Sequence, residues 1–339
     1  MRARPHMSPD TLVGRTIDAH AHVGISVKGY ACLEFPYCQS LEGLAYRQAA
    51  NDVDASVVFP LGPDLFFDLH ELVQRGVAVP AEEPLSAVPY GRANEMVLNE
   101  VYLYCPELRD RFLPFVCVDP GREVAGQIEL LRRLEQQFPI YGIKVSPVLC
   151  QSPITSLLEA GAAFTDFARA RDLPFLFHTT LDPREGYSHA DSAFEVIEAN
   201  PDLRVCLAHC IGFGQSHLER ADDMDNVWVD TAAMKIQVQL AAEGSPLMAS
   251  DGERVPADYD DHRDVMRCLV ERFPDTFIWG SDSPAYAYIC RRQQGEGVVE
   301  EFRLKATYED EVAALLSLNT SAQRRAANTN TIRWLFGNS

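Results

Sequence analysis

The chain is predicted to fold as a single α/β domain over residues 1–339, a (β/α)8 TIM barrel, and three observations predict it. Eight short apolar runs recur along the chain, at 15–20, 55–60, 112–118, 141–146, 174–178, 204–209, 226–230 and 276–281. They are mostly continuous rather than alternating, as parallel strands buried on both faces require. Amphipathic stretches of helical period lie between them, such as Val124 to Phe138 and Ile154 to Ala170. Several strand–helix units follow one another at a spacing of roughly thirty residues, the cadence of repeated βα units.

Taken in order, these runs also end in chemically active residues. The first leads into Asp18-Ala19-His20-Ala21-His22, where residues i and i+2 of a strand share a face, so that His20 and His22 aim at one point. That pair supplies half of a zinc site. Lys144 falls near the end of the fourth strand, His178 the fifth, His209 the sixth, and Asp282 just past the eighth. In a (β/α)8 barrel the C-terminal ends of the strands converge on one mouth, which would make these distant residues neighbours. Each has a plainer reading. The histidines can be core residues satisfied by backbone carbonyls, Asp282 a helix cap, and Lys144 a solvated or ion-paired cation. Three long segments, Val23 to Gln39 with Tyr30, Phe35 and Tyr37, Glu243 to Asp260, and Ala285 to Lys305, read as irregular loops around the mouth.

Composition narrows the class of partner. A formal charge of -19 opposes nucleic-acid binding, which needs clustered Lys and Arg, and mainly keeps the chain soluble. Nine cysteines with no C-x-x-C pair suit reduced thiols in a cytoplasmic chain. No run approaches the ~18 apolar residues of a membrane span, and the first residues lack the apolar stretch of a signal peptide.

Five ordered motifs resemble the metal-dependent amidohydrolase superfamily. They are Ile17-Asp18-Ala19-His20-Ala21-His22; Asn94 with Cys105-Pro106-Glu107-Leu108-Arg109-Asp110-Arg111-Phe112; Leu207-Ala208-His209; Gly280-Ser281-Asp282-Ser283-Pro284; and the terminal stretch from Asn330 to Gly337. The resemblance is to the amidohydrolase-related branch that also holds aminocarboxymuconate semialdehyde decarboxylase and gamma-resorcylate decarboxylase. It implies one divalent metal, usually zinc, bound by His20, His22, His178 and Asp282, with His209 facing the water or substrate and Lys144 an unmodified cation able to hold a substrate carboxylate. It also implies a homo-oligomer. On that donor set the expected activity is hydrolysis of an ester, lactone or amide by metal-activated water, with Asp282 and His209 as the catalytic residues. The alternative is a lyase, a decarboxylase or hydratase of an unsaturated or aromatic acid.

Overall fold

The computed structural model describes residues 2–32, 38–284, 287–294 and 298–337. Nine strands form one curled sheet: β1 (Ile17–Ile25), β2 (Cys38–Gln39), β3 (Ala55–Pro60), β4 (Phe112–Val118), β5 (Gly142–Val145), β6 (Phe175–Phe177), β7 (Val205–Leu207), β8 (Val227–Asp230) and β9 (Phe277–Ile278). The order is β2-β1-β3-β4-β5-β6-β7-β8-β9, with every pairing parallel except that of β1 with β2. Every predicted strand is present within a few residues of its expected bounds, and β1 runs on past the first apolar run to Ile25.

The continuous apolar runs have the physical cause expected of them. Leu113, Phe115, Cys117, Leu176, Cys206, Trp228 and Ile278 fill one core, on the inner face of the curl. Their strand neighbours Val116, Val118, Phe175, Phe177, Val205, Val229 and Phe277 fill a second core with the surrounding helices. Both faces of each strand are thus dry. Helix Val124–Gln137 matches its predicted span, burying Ile128, Leu131 and Leu134.

Near the site β1 departs from simple alternation. Ile17 and Ala19 belong to the inner core, whereas Ala21 and Val23 belong to the outer one. The switch falls where the register with β3 shifts, between the pairs Asp18 with Ser56 and Ala21 with Val58. Three steps on β1 answer two on β3, a bulge that re-aims the side chains beyond it and turns both His20 and His22 inward.

Backbone hydrogen bonds carry the curl round to its start. Ala19 N donates to Trp279 O at 2.9 Å, Asp282 N to His20 O at 2.8 Å, and His22 N to Ser283 O at 2.7 Å. At the N-terminal ends of the strands, helix Asn330–Phe336 closes the inner core. Trp334 is fully buried and its Nε1 donates to Phe175 O at 3.1 Å, while Arg204 Nε donates to Trp334 O at 2.8 Å.

Three expectations need correction. The stretch 154–170 is two pieces, a 3-10 segment Ile154–Leu158 and a helix Ala162–Arg169. Between them a Cβ on Gly161 would lie 2.5 Å from Pro120 O, so the chain turns where only glycine fits. The segment 285–305 is not an irregular loop; it contains an antiparallel hairpin of β10 (Ala287–Gln294) and β11 (Val298–Lys305). The segment 23–39 holds the end of β1, helix Val27–Cys32 and β2, and Phe35 and Tyr37 lie outside the described residues. The third segment, 243–260, contains no named helix or strand. Seven cysteines among the described residues are free thiols. No helix among the described residues is long and apolar enough to cross a membrane.

Candidate metal centre

His20 and His22 reach a common partner. Their Nε2 atoms each lie 3.2 Å from Asp282 Oδ1, and the ligating atoms of these three residues all fall within 4.8 Å of one another. Asp282 is delivered by the segment after β9, which runs so close to β1 that a Cβ on Gly280 would sit 2.8 Å from His20 Cβ. The close approach needs the missing side chain. Below it Asp18 pins the same junction. Its carboxylate accepts from Ser281 Oγ at 2.6 Å, Ser281 N at 2.9 Å and the Tyr308 hydroxyl at 3.1 Å. Burial pushes the Asp18 carboxyl up to about 6 despite these donors. Asp18→Ala removes the buried acceptor that Ser281 and Tyr308 share; we expect a loss of about 1–3 kcal/mol of stability, read from chemical denaturation.

The hydrogen bonds on the far sides of the rings fix how each imidazole faces the cavity. A backbone carbonyl only accepts, so His22 Nδ1, 3.1 Å from Pro60 O, carries its ring's proton. The same argument applies to His209 Nδ1, 3.2 Å from Ala232 O; its Nε2 then accepts from His178 Nδ1 at 3.0 Å. His20 Nδ1 donates to the Asp230 carboxylate at 2.7 Å. His20, His22 and His178 are therefore all held with their Nε2 lone pairs free for a cation.

This arrangement is a test of whether a metal fits, and the residues pass it. Asp282 Oδ1 faces two nitrogen lone pairs at 3.2 Å, an acceptor against acceptors, which is favourable only when a cation or a proton lies among them. Two imidazoles and a carboxylate suit a divalent ion of borderline softness. His178 is not in the mutually close set of three, and its ring packs on His209 with centroids 4.8 Å apart.

Electrostatics follow the same logic. Although burial raises the Asp282 carboxyl, the neighbouring His20 and His22 outweigh it and hold the group well below the usual carboxylate range. Burial lowers His22 and His209, and lowers His178 furthest of the three, which keeps these rings neutral. For His20, burial and Lys144 push down while Asp230 and Asp282 push up and prevail. Lys144 is buried on β5 with Nζ 3.4 Å from His20 Nε2 and 4.9 Å from the centre of the Phe59 ring; burial lowers it too.

All six predicted site residues, His20, His22, Lys144, His178, His209 and Asp282, line one cavity of about 370 Å³. Its walls are largely apolar, with Val148, Ile236, Leu240, Leu247 and Met248 among them. Asp282 accepts from no backbone N–H among the described bonds, so the helix-cap reading finds no support, and Lys144 has no carboxylate within ion-pair distance among the described residues. Sequence reasoning missed Asp230, although it ends the apolar run Val227-Trp228-Val229 as the other candidates end theirs. It also missed Phe59, whose ring packs edge-on to both His20 and His22, and the buried Glu311, whose carboxylate accepts from Met234 N and Lys235 N and fixes the start of the helix that bears Ile236 and Leu240.

Comparison with known proteins bears on this site. A family model described as amidohydrolase matches residues 17–335. No curated protein matches the chain. Among solved structures, 2,6-dihydroxybenzoate decarboxylase from Rhizobium is similar at 12% identity and a TM-score of 0.58, over 95% of this chain and 98% of that one. An amidohydrolase from Burkholderia multivorans with bound HEPES gives 13% identity and 0.56, over 96% and 100%. A 5-carboxyvanillate decarboxylase from Novosphingobium aromaticivorans with bound manganese gives 14% identity and 0.52, over 95% and 96%. At such identities these likenesses speak for the fold. The match of the family model over nearly the whole sequence goes further: the chain belongs to the amidohydrolase family.

Proposed function

We propose that the protein is a metal-dependent hydrolase, built on a closed (β/α)8 barrel, that opens an ester, lactone or amide bond of a small molecule. His20, His22 and Asp282 would hold the ion, zinc by preference, with His178 offering its Nε2 from the same cavity. Such an ion lowers the pKa of water from 15.7 towards ~7 and polarises a carbonyl oxygen. The observation that carries the proposal is the convergence of His20, His22 and Asp282, whose ligating atoms lie within 4.8 Å of one another at a cavity that His178, His209 and Lys144 also line. Asp282, held well below the usual carboxylate range, is the proton acceptor that hydrolysis needs at its first step. Asp282 takes the proton of the attacking water and returns it to the leaving group. His209, whose Nδ1 proton is bonded to Ala232 O, accepts from His178 Nδ1 and so orients that ring.

Lys144 is proposed to receive a substrate carboxylate, since its buried ammonium faces the cavity without a carboxylate of its own. Lys144→Met should raise KM for an anionic substrate by roughly 10- to 100-fold, from ~1.5–3 kcal/mol per charge-assisted bond, and alter KM for a neutral analogue far less. The same ammonium and the apolar walls favour a second reading, a decarboxylase or hydratase of an unsaturated or aromatic acid, and two of the similar folds are decarboxylases. Incubation of the metal-loaded protein with lactones, esters, amides and aromatic acids separates the two. Ring-opened acid, alcohol or amine supports the hydrolase; CO2 from an acid, without hydrolysis products, assigns the lyase. We further propose a cytoplasmic homo-oligomer acting on small molecules, with neither nucleic acid nor membrane as partner, in keeping with the charge of -19.

A further inference from the structure

Asp230 is the last residue of β8, fully buried, and it touches both halves of the site without lining the cavity. Its Oδ2 accepts the Nδ1 proton of His20 at 2.7 Å, while its Oδ1 accepts two main-chain donors, His209 N at 2.9 Å and Ala232 N at 3.0 Å. The second pair anchors an unusual backbone. His209, Cys210, Ile211, Gly212 and Phe213 have φ of 63°, 52°, 46°, 56° and 66°, a left-handed turn that L-residues adopt only when their surroundings hold them in it. The carbonyl of Ala232, beside the second donor, is also the acceptor for His209 Nδ1.

We infer that Asp230 is the positioning residue of this centre, one carboxylate that fixes the tautomer of His20 and the seat of the His209 turn together. The inference rests on the metal-site reading given above but concerns hydrogen bonding within the chain. Both oxygens are committed to donors, so Nδ1 is the protonated nitrogen of His20 and Nε2 presents its lone pair towards Asp282 and Lys144.

Asp230→Asn tests this with almost no change of shape. An amide has one oxygen and one NH2. The main-chain N–H groups of His209 and Ala232 can only donate, so the oxygen must face them and the NH2 must face His20 Nδ1. His20 then has to accept at Nδ1 and move its proton to Nε2, where it blocks a cation. We expect Zn2+ affinity, measured by competition with a chelating dye, to fall about 10- to 100-fold. In 15N NMR of the metal-free chain at alkaline pH, with His20 assigned by its loss in a His20→Gln variant, the proton should sit on Nδ1 in the wild type and on Nε2 in D230N. Wild-type Zn2+ affinity in folded D230N overturns the inference. So does a wild-type His20 protonated on Nε2, whether or not the variant folds. Failure of the wild type to bind Zn2+ would count instead against the metal-site reading, and the NMR comparison would still decide the role of Asp230.

Discussion

Asp282→Asn is expected to lower turnover by about 10²- to 10⁴-fold and to weaken metal binding while leaving the fold intact. The carboxylate is the shared partner of His20 and His22, 3.2 Å from each Nε2, and it arrives on backbone held by bonds that do not involve its side chain, Asp282 N to His20 O among them. The substituted amide is nearly isosteric. Its NH2 would donate to the very lone pairs that the carboxylate shares with a cation, and its oxygen is too weak a base to take a proton from water. Steady-state kinetics with metal content and circular dichroism on the same sample check this. A fall in activity with an unchanged spectrum is the expected pair of results; undiminished turnover would remove Asp282 from the chemistry.

Trp334→Ala should produce the largest loss of stability, about 3–5 kcal/mol, against a total that is usually 5–15. The indole is fully buried at the N-terminal ends of the strands, stacked obliquely on Phe115 with centroids 5.3 Å apart and bonded through Nε1 to Phe175 O. Truncation leaves a cavity and takes the indole donor away from Phe175 O. Because the site lies at the opposite, C-terminal ends of the strands, the protein that remains folded should keep its metal affinity. Urea denaturation and metal titration on the variant separate the two effects. Stability within about 1 kcal/mol of wild type would show that the terminal helix does not close the core.

Much of the fold was legible because burial on both faces writes a strand as an unbroken apolar run, and all eight predicted strands, from β1 to β9 with the short β2 excepted, were so written. The six candidate residues that share the cavity were legible because each lies at or just past the end of such a run, and strand ends converge. Asp230 obeys the same rule and was within reach of it. Other features were not. The bulge in β1 depends on pairing with β3, and no local pattern marks the place where Ala19 and His20 come to share a face. Asp18 finds Tyr308 290 positions away, and Gly161 breaks an otherwise helical pattern because Pro120 O crowds it. The hairpin β10–β11 was read as loop because its sequence, Ala287-Tyr288-Ile289-Cys290-Arg291-Arg292, mixes apolar and charged residues without a clean period of two.

Metal dependence is the claim on which the proposed chemistry stands. Elemental analysis of the purified protein, before and after dialysis against a chelator and again after restoring Zn2+, tests it directly alongside an activity assay. We expect about one divalent ion per chain, activity lost with the ion and regained with it, and neither in a protein carrying both His20→Ala and His22→Ala. Full turnover by the chelated, metal-free protein would contradict the account.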